Sequence, residues 1–264
     1  MIRIGVLGAA GRMGRLVCRA VADDPDLALV AGIGPGSADT ELGPLIGHGD
    51  VDVRISGDLD ALLHAEAEVA VDFTTPQTVM GNIRWLVEHG IHAVVGTTGI
   101  GPKDLEEIRS LAEGGGANVV VASNFAIGAV LLQRFAEQAA RVFPAAEIIE
   151  LHHETKLDAP SGTAIATARR MAESRREEWS GPAKETVDHV RGGEVEGIRI
   201  HSVRLPGLVA HQEVIFGGLG QTLTLRHDAP DRASYMPGVL LAVTSVASRP
   251  GLTVGLEPLL GLDG

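Results

Sequence analysis

The sequence is poor in cysteine, in aromatic residues and in positive charge. Its single cysteine, Cys18, excludes an internal disulfide and a metal site built from several thiolates. Aromatic residues make up 3% of the chain, which argues against a platform that stacks nucleic-acid bases. The formal net charge of −12 argues against nucleic acid and anionic membranes as partners, because an acidic surface repels both. An anionic ligand would therefore have to be held by a local group of donors.

Long apolar runs are absent as well. No stretch approaches the roughly twenty apolar residues of a membrane span, and the N-terminal residues lack the long apolar core of a signal peptide. We therefore expect a cytoplasmic protein with no membrane partner. The chain does contain 34 glycines and a hydrophobic fraction of 45%, a composition typical of a compact α/β enzyme with tight turns. Its 264 residues are enough for one large domain or two modest ones.

A glycine-rich turn lies between the first predicted strand and the first predicted helix. Ile2 to Leu7 predicts the strand, Arg15 to Asp23 predicts the helix, and Gly8-Ala9-Ala10-Gly11-Arg12-Met13-Gly14 joins them. The first glycine allows a sharp turn, the second a close approach to a pyrophosphate, and the third tight packing of the helix on the strand. This placement favours a dinucleotide site over a plain packing turn. Arg12 is either a surface charge or a contact to an adenosine phosphate.

The second predicted strand, Leu27 to Ile33, ends without an acidic residue. In a dinucleotide-binding fold a carboxylate at this point holds the ribose of NAD. Here the chain continues as Gly34-Pro35-Gly36-Ser37. The bias against the extra phosphate of NADP is therefore weaker, and the sequence is compatible with NADH, NADPH or both.

Further strands and helices alternate up to about Ala126. The predicted strands are 68–73, 93–96 and 118–122, and the predicted helices are 77–89 and 103–113. This alternation predicts a parallel sheet covered by helices, with ligands at the carboxyl ends of the strands. Three loops at such ends are Thr74-Thr75, Gly96-Thr97-Thr98 and Ser123-Asn124-Phe125. Turn chemistry alone would explain each loop, but three similar loops at one rim favour contact with a cofactor.

The alternation stops after Ala126, where we place a domain boundary. A predicted helix at 128–143 is followed by the strand 146–151 and later by the strands 198–205, 209–216 and 221–227. We therefore expect an α/β fold with an N-terminal Rossmann-type parallel sheet and an α+β second domain with a mixed or antiparallel sheet. The dinucleotide-binding domain would span 1–126 and be completed by the apolar segment 235–264. The second domain, 127–234, would bind the substrate.

One loop of this second domain gathers most of the reactive side chains. It runs from Glu150 to Ala164, between a predicted strand and a helix that is capped by Ser161 and extends to about Trp179. The loop presents two imidazoles, one ammonium and the N–H groups of a helix N-terminus. This combination is expected where an anionic substrate is held and a proton is delivered.

Several interpretations of these side chains stay open from the residues alone. His152 and His153 are adjacent in extended chain and face opposite ways, so they have separate roles or are simply core or surface histidines. A zinc site is disfavoured because no second histidine follows at helical spacing. Lys156 would grip a carboxylate or donate a proton. Asp158 either orients Lys156 or starts the turn before the helix.

A resemblance to a known family rests on this loop. The run Glu150-Leu-His-His-Glu-Thr-Lys-Leu-Asp-Ala-Pro-Ser-Gly-Thr-Ala164 resembles the signature of the 4-hydroxy-tetrahydrodipicolinate reductases, also called dihydrodipicolinate reductases. The glycine turn matches too, as do four other segments: Val71-Asp-Phe-Thr-Thr-Pro76, Val95-Gly-Thr-Thr-Gly99, Ser123-Asn-Phe-Ala-Ile-Gly128 and Gly207-Leu-Val-Ala-His-Gln-Glu-Val214. The resemblance therefore spans nearly the whole chain.

The resemblance implies reduction of 4-hydroxy-tetrahydrodipicolinate, via dihydrodipicolinate, to tetrahydrodipicolinate with NADH or NADPH, in the diaminopimelate route to lysine. It implies no metal. His152 would donate or accept a proton, Lys156 would donate one, and His153, Gly162 and Thr163 would hold a substrate carboxylate. The implied cofactor residues are Gly8, Ala9, Ala10, Gly11, Arg12, Met13, Gly96, Thr97, Thr98, Ala122, Ser123, Asn124 and Phe125.

The family is typically a homotetramer whose second-domain sheets associate, so domain 127–234 would also serve oligomerisation. Two rival functions remain: a non-catalytic NAD(P)-binding regulator, and a related dehydrogenase of an imine or amino acid. The intact pattern of His152, Lys156, Gly162 and Thr163 weighs against both.

Overall fold

The computed structural model describes residues 1–175, 179 and 184–262. These residues form two compact units. The first unit consists of Met1–Phe125 together with the described residues from Tyr235 onward, and the second unit is Ala126–Ser234. None of the described helices is long and apolar enough to cross a membrane.

Strands and helices alternate along the first part of the chain. In chain order they are β1 (Ile2–Leu7), α1 (Arg12–Asp23), β2 (Leu27–Ile33), α2 (Leu42–Ile46), β3 (Ile55–Ser56), α3 (Asp60–His64), β4 (Val69–Asp72), α4 (Val79–Glu88), β5 (His92–Val95), α5 (Pro102–Gly114) and β6 (Val119–Val121). The remaining elements are α6 (Ile127–Ala140), β7 (Ala145–His152), α7 (Gly162–Ser174), β8 (Gly193–Val195), β9 (Ile198–Arg204), β10 (Ala210–Gly218), β11 (Gln221–Ala229), α8 (Met236–Ser245) and β12 (Leu252–Val254).

The first unit is built on a seven-stranded sheet with the order β12-β6-β5-β4-β1-β2-β3, and all neighbouring strands in it are parallel. This confirms the predicted Rossmann-type sheet. Its central strands are apolar and buried, as expected when helices cover both faces. Because the strands are parallel, the loops that follow β1, β4, β5 and β6 lie at one edge of the sheet. The C-terminal segment returns to this unit and contributes β12 beside β6.

Helix α1 begins earlier than the sequence predicted. It starts at Arg12, directly after Gly11, whose backbone is extended and forms the N-cap. The glycine turn therefore runs straight into the helix, with Gly14 already in its first turn. The buried stripe of α1 includes Cys18, which is fully buried. Burial raises the pKa of the Cys18 thiol to about 12, so the thiol is unreactive at neutral pH.

Three short elements between β2 and β4 were not predicted: α2, β3 and α3. Helices of five residues and a strand of two residues are too short to show a hydrophobic period. They are fixed by packing on the sheet, where Leu42, Ile55 and Leu62 are almost fully buried.

The second unit contains a five-stranded sheet with the order β11-β10-β7-β9-β8. Strands β7 and β9 are parallel and the other neighbouring pairs are antiparallel, so the sheet is mixed, one of the two predicted forms. Helices α6 and α7 pack on the face that carries Ile148, Ile200, Val214 and Phe216. Alternation along the strands places Glu150 and Arg204 on this same face, at the carboxyl ends of β7 and β9.

Helix α7 ends sooner than predicted. Its last residue is Ser174, and Arg175 is already extended, whereas the sequence predicted a helix to about Trp179. Between Ala172 and Trp179 the chain has no apolar side chain that could extend the buried stripe of the helix. Residues 176–178 lie outside the described part of the chain. The Arg175 guanidinium lies over the Trp179 ring, 5.5 Å from its centroid.

Two glycines of the first unit should respond in opposite ways to a methyl group. A Cβ at Gly14 would lie 2.0 Å from the Gly8 carbonyl oxygen, and this neighbour is backbone that cannot rotate away. We expect Gly14→Ala to lower the free energy of unfolding by about 2 kcal/mol or more. A Cβ at Gly81, in α4, meets nothing within 4 Å. Gly81→Ala should raise stability by about 0.5 to 1 kcal/mol.

Thermal and urea denaturation of both variants check these expectations. Equal midpoints for the two variants would contradict the close packing of α1 on the glycine turn.

Candidate active site

The glycine turn of the first unit is tightly folded against its neighbours. Gly8 has a φ of +77°, a conformation that favours glycine. The Gly8 and Ala9 N–H groups donate to the Ile33 carbonyl oxygen at 2.8 and 3.1 Å, and the Gly11 N–H donates to the Gly8 carbonyl oxygen at 2.8 Å. A Cβ at Gly8 would lie 2.6 Å from the Phe73 carbonyl oxygen. A residue with a side chain would therefore displace the turn.

The N-terminus of α1 fits a phosphate group. No side chain caps this helix, and its first turn contains no acidic residue. Its N–H groups and the positive end of its dipole are thus left for an anion. A Cβ at Gly11 would meet only the Gly8 carbonyl oxygen, so this part of the turn is open. Arg12 is exposed, and the Arg15 guanidinium closes the turn by donating to the Ala10 carbonyl oxygen at 2.8 Å.

The other two predicted cofactor segments lie at the same edge of the sheet. The Gly96 N–H donates to the Asp72 carbonyl oxygen at 2.9 Å, and the Ala122 N–H donates to the Val95 carbonyl oxygen at 3.0 Å. Thr98 and Ser123 are exposed, and Asn124 is half-buried. Thr97, Ala122 and Phe125 are buried.

The second unit places its reactive side chains in the loop between β7 and α7. The side chain of Glu150 is fully buried. The His152 Nδ1–H donates to Glu150 Oε2 at 2.5 Å. A carboxylate acceptor at Nδ1 fixes the proton there and leaves Nε2 as the second functional atom of the ring. The hydrogen bond at Nδ1 thus fixes the orientation of the His152 ring, as a proton-transfer residue requires.

Glu150 also binds two groups that are distant in sequence. The Arg204 Nη1 and Nη2 atoms donate to the two carboxylate oxygens at 2.9 and 2.8 Å. The Ser161 N–H donates to Glu150 Oε1 at 3.2 Å. Burial by itself would raise the pKa of Glu150, but hydrogen bonds from His152, Arg204 and Ser202 lower it to about 2. Glu150 is therefore ionised at neutral pH.

Asp158 holds Lys156, which decides between the two roles that the sequence left open. The Lys156 ammonium donates to Asp158 Oδ1 and Oδ2 at 2.7 and 2.8 Å. The hydrogen bond from Lys156 lowers the pKa of Asp158. The Asp158 backbone is held in turn, because Arg204 Nη2 donates to its carbonyl oxygen at 2.7 Å. Arg204 thus connects the loop of Lys156 to the carboxylate of Glu150.

The N-terminus of α7 leaves donors for an anion. Ser161 caps the helix as predicted, by accepting a hydrogen bond from the Ala164 N–H at 3.2 Å. This cap does not use the N–H groups of Gly162 and Thr163, and a Cβ at Gly162 would meet nothing within 4 Å. His153 is half-buried, and its Nδ1 lies 2.7 Å from Thr155 Oγ1. The predicted carboxylate-binding groups thus lie in one segment.

A buried polar group supports the first turn of α7 from below. The Thr167 hydroxyl donates to the Thr163 carbonyl oxygen at 2.9 Å and accepts from Gln212 Nε2 at 2.8 Å. Gln212 is 6% exposed, and among the described residues nothing donates to its Oε1. Gln133 Nε2 adds a second donor to Thr167, at 3.3 Å. No local sequence pattern predicts this group, because its members come from three separate elements.

The structure brings together the five predicted catalytic and substrate residues in one strand, loop and helix of the second unit. It places the predicted cofactor residues at one edge of the sheet in the first unit. Three residues that hold these sites had no assigned role: Glu150, Arg204 and Asp72. Glu150 lies inside the motif, two residues before His152, so its spacing in an extended strand is a signal that it shares a face with His152.

Comparison with known proteins covers the whole chain. The dihydrodipicolinate reductase family matches twice: its N-terminal model fits residues 2–125 and its C-terminal model fits residues 128–260. A 4-hydroxy-tetrahydrodipicolinate reductase from Nocardia farcinica is 52% identical over 266 residues, covering 99% of each chain. One from Listeria monocytogenes is 48% identical, covering 98% of this chain and 100% of the relative.

Solved structures agree with the family models. The dipicolinate-bound dihydrodipicolinate reductase from Paenisporosarcina sp. TG-14 has a TM-score of 0.87 and 40% identity, covering 98% of this chain and 99% of that chain. An amine dehydrogenase from Mycobacterium smegmatis has a TM-score of 0.66 at 15% identity, covering 96% of this chain and 94% of that chain, which shows a shared fold alone. The chain belongs to the dihydrodipicolinate reductase family.

Proposed function

We propose that this chain reduces 4-hydroxy-tetrahydrodipicolinate, via dihydrodipicolinate, to tetrahydrodipicolinate in the diaminopimelate route to lysine. As a member of its family it is an oxidoreductase that uses NADH or NADPH. The observation that carries the proposal is the segment from the end of β7 to the start of α7, where a buried carboxylate orients His152, Asp158 holds Lys156, and the helix N-terminus is open. The relative from Paenisporosarcina binds dipicolinate, a cyclic dicarboxylate of the expected class.

The glycine turn and the two neighbouring loops would hold the cofactor. The proposed contacts are those predicted from the sequence: 8–13, 96–98 and 122–125. When bound, NAD(P)H supplies the hydride. The N–H groups at the start of α1 would bind the pyrophosphate, and Arg12 lies where an exposed cation reaches an adenosine phosphate. Strand β2 ends at Ile33 without a carboxylate, so we propose that NADPH is accepted beside NADH.

A substrate carboxylate would be bound at the N-terminus of α7. The N–H groups of Gly162 and Thr163 point out of the first helical turn, and the helix dipole favours an anion there. His153 adds a donor from the adjacent loop. The contacts from Thr167 and Gln133 to the Thr163 carbonyl oxygen fix the first turn in place. Binding of the carboxylate would therefore need little further ordering of the helix N-terminus.

Proton transfer would be shared by Lys156 and His152. Reduction of the conjugated ring moves negative charge toward its nitrogen, and a nearby ammonium stabilises that charge. Lys156 uses two N–H groups for Asp158, which leaves the third to donate to the substrate. His152 keeps Nε2 available for proton transfer because Glu150 binds Nδ1.

The proposal also assigns a role to each domain and a quaternary structure to the protein. Residues 1–126 with 235–264 would bind the dinucleotide, and residues 127–234 would bind substrate and associate into a homotetramer in the cytoplasm. Strand β11 supports association, because it is an edge of its sheet and most of its side chains are exposed. The match of both units to the reductase family models weighs against the rival functions, a non-catalytic regulator or a related dehydrogenase.

Lys156→Met should separate binding from chemistry. Methionine keeps the length of the side chain but removes the ammonium, so we expect turnover to fall by about 100-fold or more while NADH affinity stays unchanged. Turnover is measured as loss of reduced-nicotinamide absorbance while a synthase generates the substrate from pyruvate and aspartate semialdehyde. The control is Lys103→Met, an exposed lysine of α5, which should behave as wild type. Normal turnover by Lys156→Met would refute the assigned role.

Glu150→Gln should lower the stability of the protein at neutral pH and make that stability less sensitive to pH. The depressed pKa of Glu150, about 2 against an ordinary value of 4.5, gives stability above pH 4.5 that is lost as pH falls toward 2. The shift corresponds to about 3 kcal/mol. A glutamine amide also faces donors on Arg204 or His152, so Glu150→Gln should melt well below wild type at pH 7, and the gap should narrow at pH 3.

Thermal denaturation from pH 3 to pH 7 measures this gap. The control is Glu194→Gln, whose carboxylate pairs with Arg199 at the surface of the same sheet and should contribute at most about 1 kcal/mol. A gap that stays constant over this pH range would show that Glu150 acts by shape and not by charge.

A further inference from the structure

Asp72 is a buried charged residue that the proposed reaction does not use. It ends β4, whose preceding residues Val69, Ala70 and Val71 are apolar, and it is 0% exposed. Its position is at the carboxyl edge of the parallel sheet, beside the loops proposed to hold the cofactor. An apolar side chain would continue the strand without the cost of burying a carboxylate. Core packing alone therefore does not account for a carboxylate at this position.

Within the described residues, four hydrogen bonds are donated to the Asp72 carboxylate. Its Oδ1 accepts from the Thr74 N–H at 2.8 Å, from the Thr74 hydroxyl at 2.7 Å and from the Thr97 hydroxyl at 2.8 Å. Its Oδ2 accepts from Asn82 Nδ2 at 2.7 Å. These donors are neutral and together offset the burial of the carboxylate. Thr74 is in the loop after β4, Thr97 is in the loop after β5, and Asn82 is in α4.

The contact with Thr97 distinguishes this arrangement from an ordinary turn. A hydrogen bond from the Thr74 N–H to Asp72 two residues earlier is a local turn that needs nothing else. Thr97 lies in the loop after the neighbouring strand β5 and is 7% exposed, so its hydrogen bond to Asp72 joins two separate loops. The Asn82 amide also lies 3.3 Å from the Thr74 hydroxyl, which fixes that hydroxyl from a third side.

The same backbone touches the glycine turn. The Phe73 N–H donates to the Leu7 carbonyl oxygen at 3.2 Å, and the Phe73 carbonyl oxygen is the atom that a Cβ at Gly8 would meet at 2.6 Å. The Phe73 ring fills the space over Gly96, where a Cβ would lie 2.2 Å from it. A shift of residues 72–74 would therefore move both the glycine turn and the loop of Thr97.

We propose that Asp72 is a positioning residue for the dinucleotide, which acts through Thr74, Thr97 and Asn82 to hold the glycine turn and the loop of Thr97 in register. The proposal rests on the proposed NAD(P)H-dependent function. Asp72 itself makes no contact with the ligand. Its effect should therefore appear in dinucleotide affinity, and not in the binding of a dicarboxylate to the second unit.

Exchanging Asp72 and Asn82 tests this role. Asn82→Asp alone sets two carboxylates against each other across the contact that now measures 2.7 Å, and we expect the NADH dissociation constant to rise about tenfold. Asp72→Asn/Asn82→Asp returns one carboxylate and one amide to the pair, so affinity should recover to within about threefold of wild type. Nicotinamide fluorescence titration measures NADH binding, and circular dichroism checks folding.

The binding of dipicolinate, measured by calorimetry, is the control, and it should stay within about twofold in every variant. NADH affinity of Asn82→Asp equal to wild type, or no recovery in the double variant, would overturn the proposal. If Asn82→Asp does not fold, Asn82→Ala removes the same hydrogen bond and should weaken NADH binding about threefold, and unchanged binding would overturn the proposal. A wild-type protein that binds neither NADH nor NADPH would instead refute the proposed function.

Discussion

The second unit depends on one buried carboxylate, that of Glu150. Its two oxygens receive hydrogen bonds from His152 on the same strand, from Arg204 on the parallel neighbour β9 and from the Ser161 N–H at the start of α7. A buried charge is stable only when its partners are all in place. The end of β7, the start of α7 and the loop of Lys156 are thus fixed together. A change that disturbs Glu150 would therefore affect both the stability of the fold and the geometry of the site.

The first unit also contains a buried carboxylate, that of Asp72, but its hydrogen-bond partners are of a different kind. Asp72, the last residue of β4, is fully buried like Glu150, yet the donors that contact its oxygens are neutral, whereas Glu150 is bound by the guanidinium of Arg204. The guanidinium beside Glu150 offsets its negative charge, which would favour an anionic substrate at the site proposed nearby. In the first unit, uncapped backbone N–H groups of α1 supply the local positive potential. Each unit therefore carries a local group of positive or N–H donors that would suit an anion, although the chain is acidic as a whole.

Elements with strong local signals could be predicted from the sequence, and long-range contacts could not. Strands β1 and β2 have the predicted bounds because each is an apolar run that a glycine or a polar residue ends. The family signature lies in one segment, so His152, Lys156 and Gly162 were found together. Arg204 is 54 residues from Glu150, and Thr97 is 25 residues from Asp72. Such pairs depend on which strands become neighbours, and a single sequence does not contain that order.

The inert Cys18 makes the protein convenient for chemical labelling. Cys18 is fully buried in α1, and burial raises the pKa of its thiol to about 12. Maleimides and other thiol reagents react with the thiolate, which Cys18 does not form at neutral pH. A cysteine introduced on an exposed helix would therefore be the one reactive thiol among the described residues. A single fluorophore could then be attached at a chosen position without first removing the native cysteine.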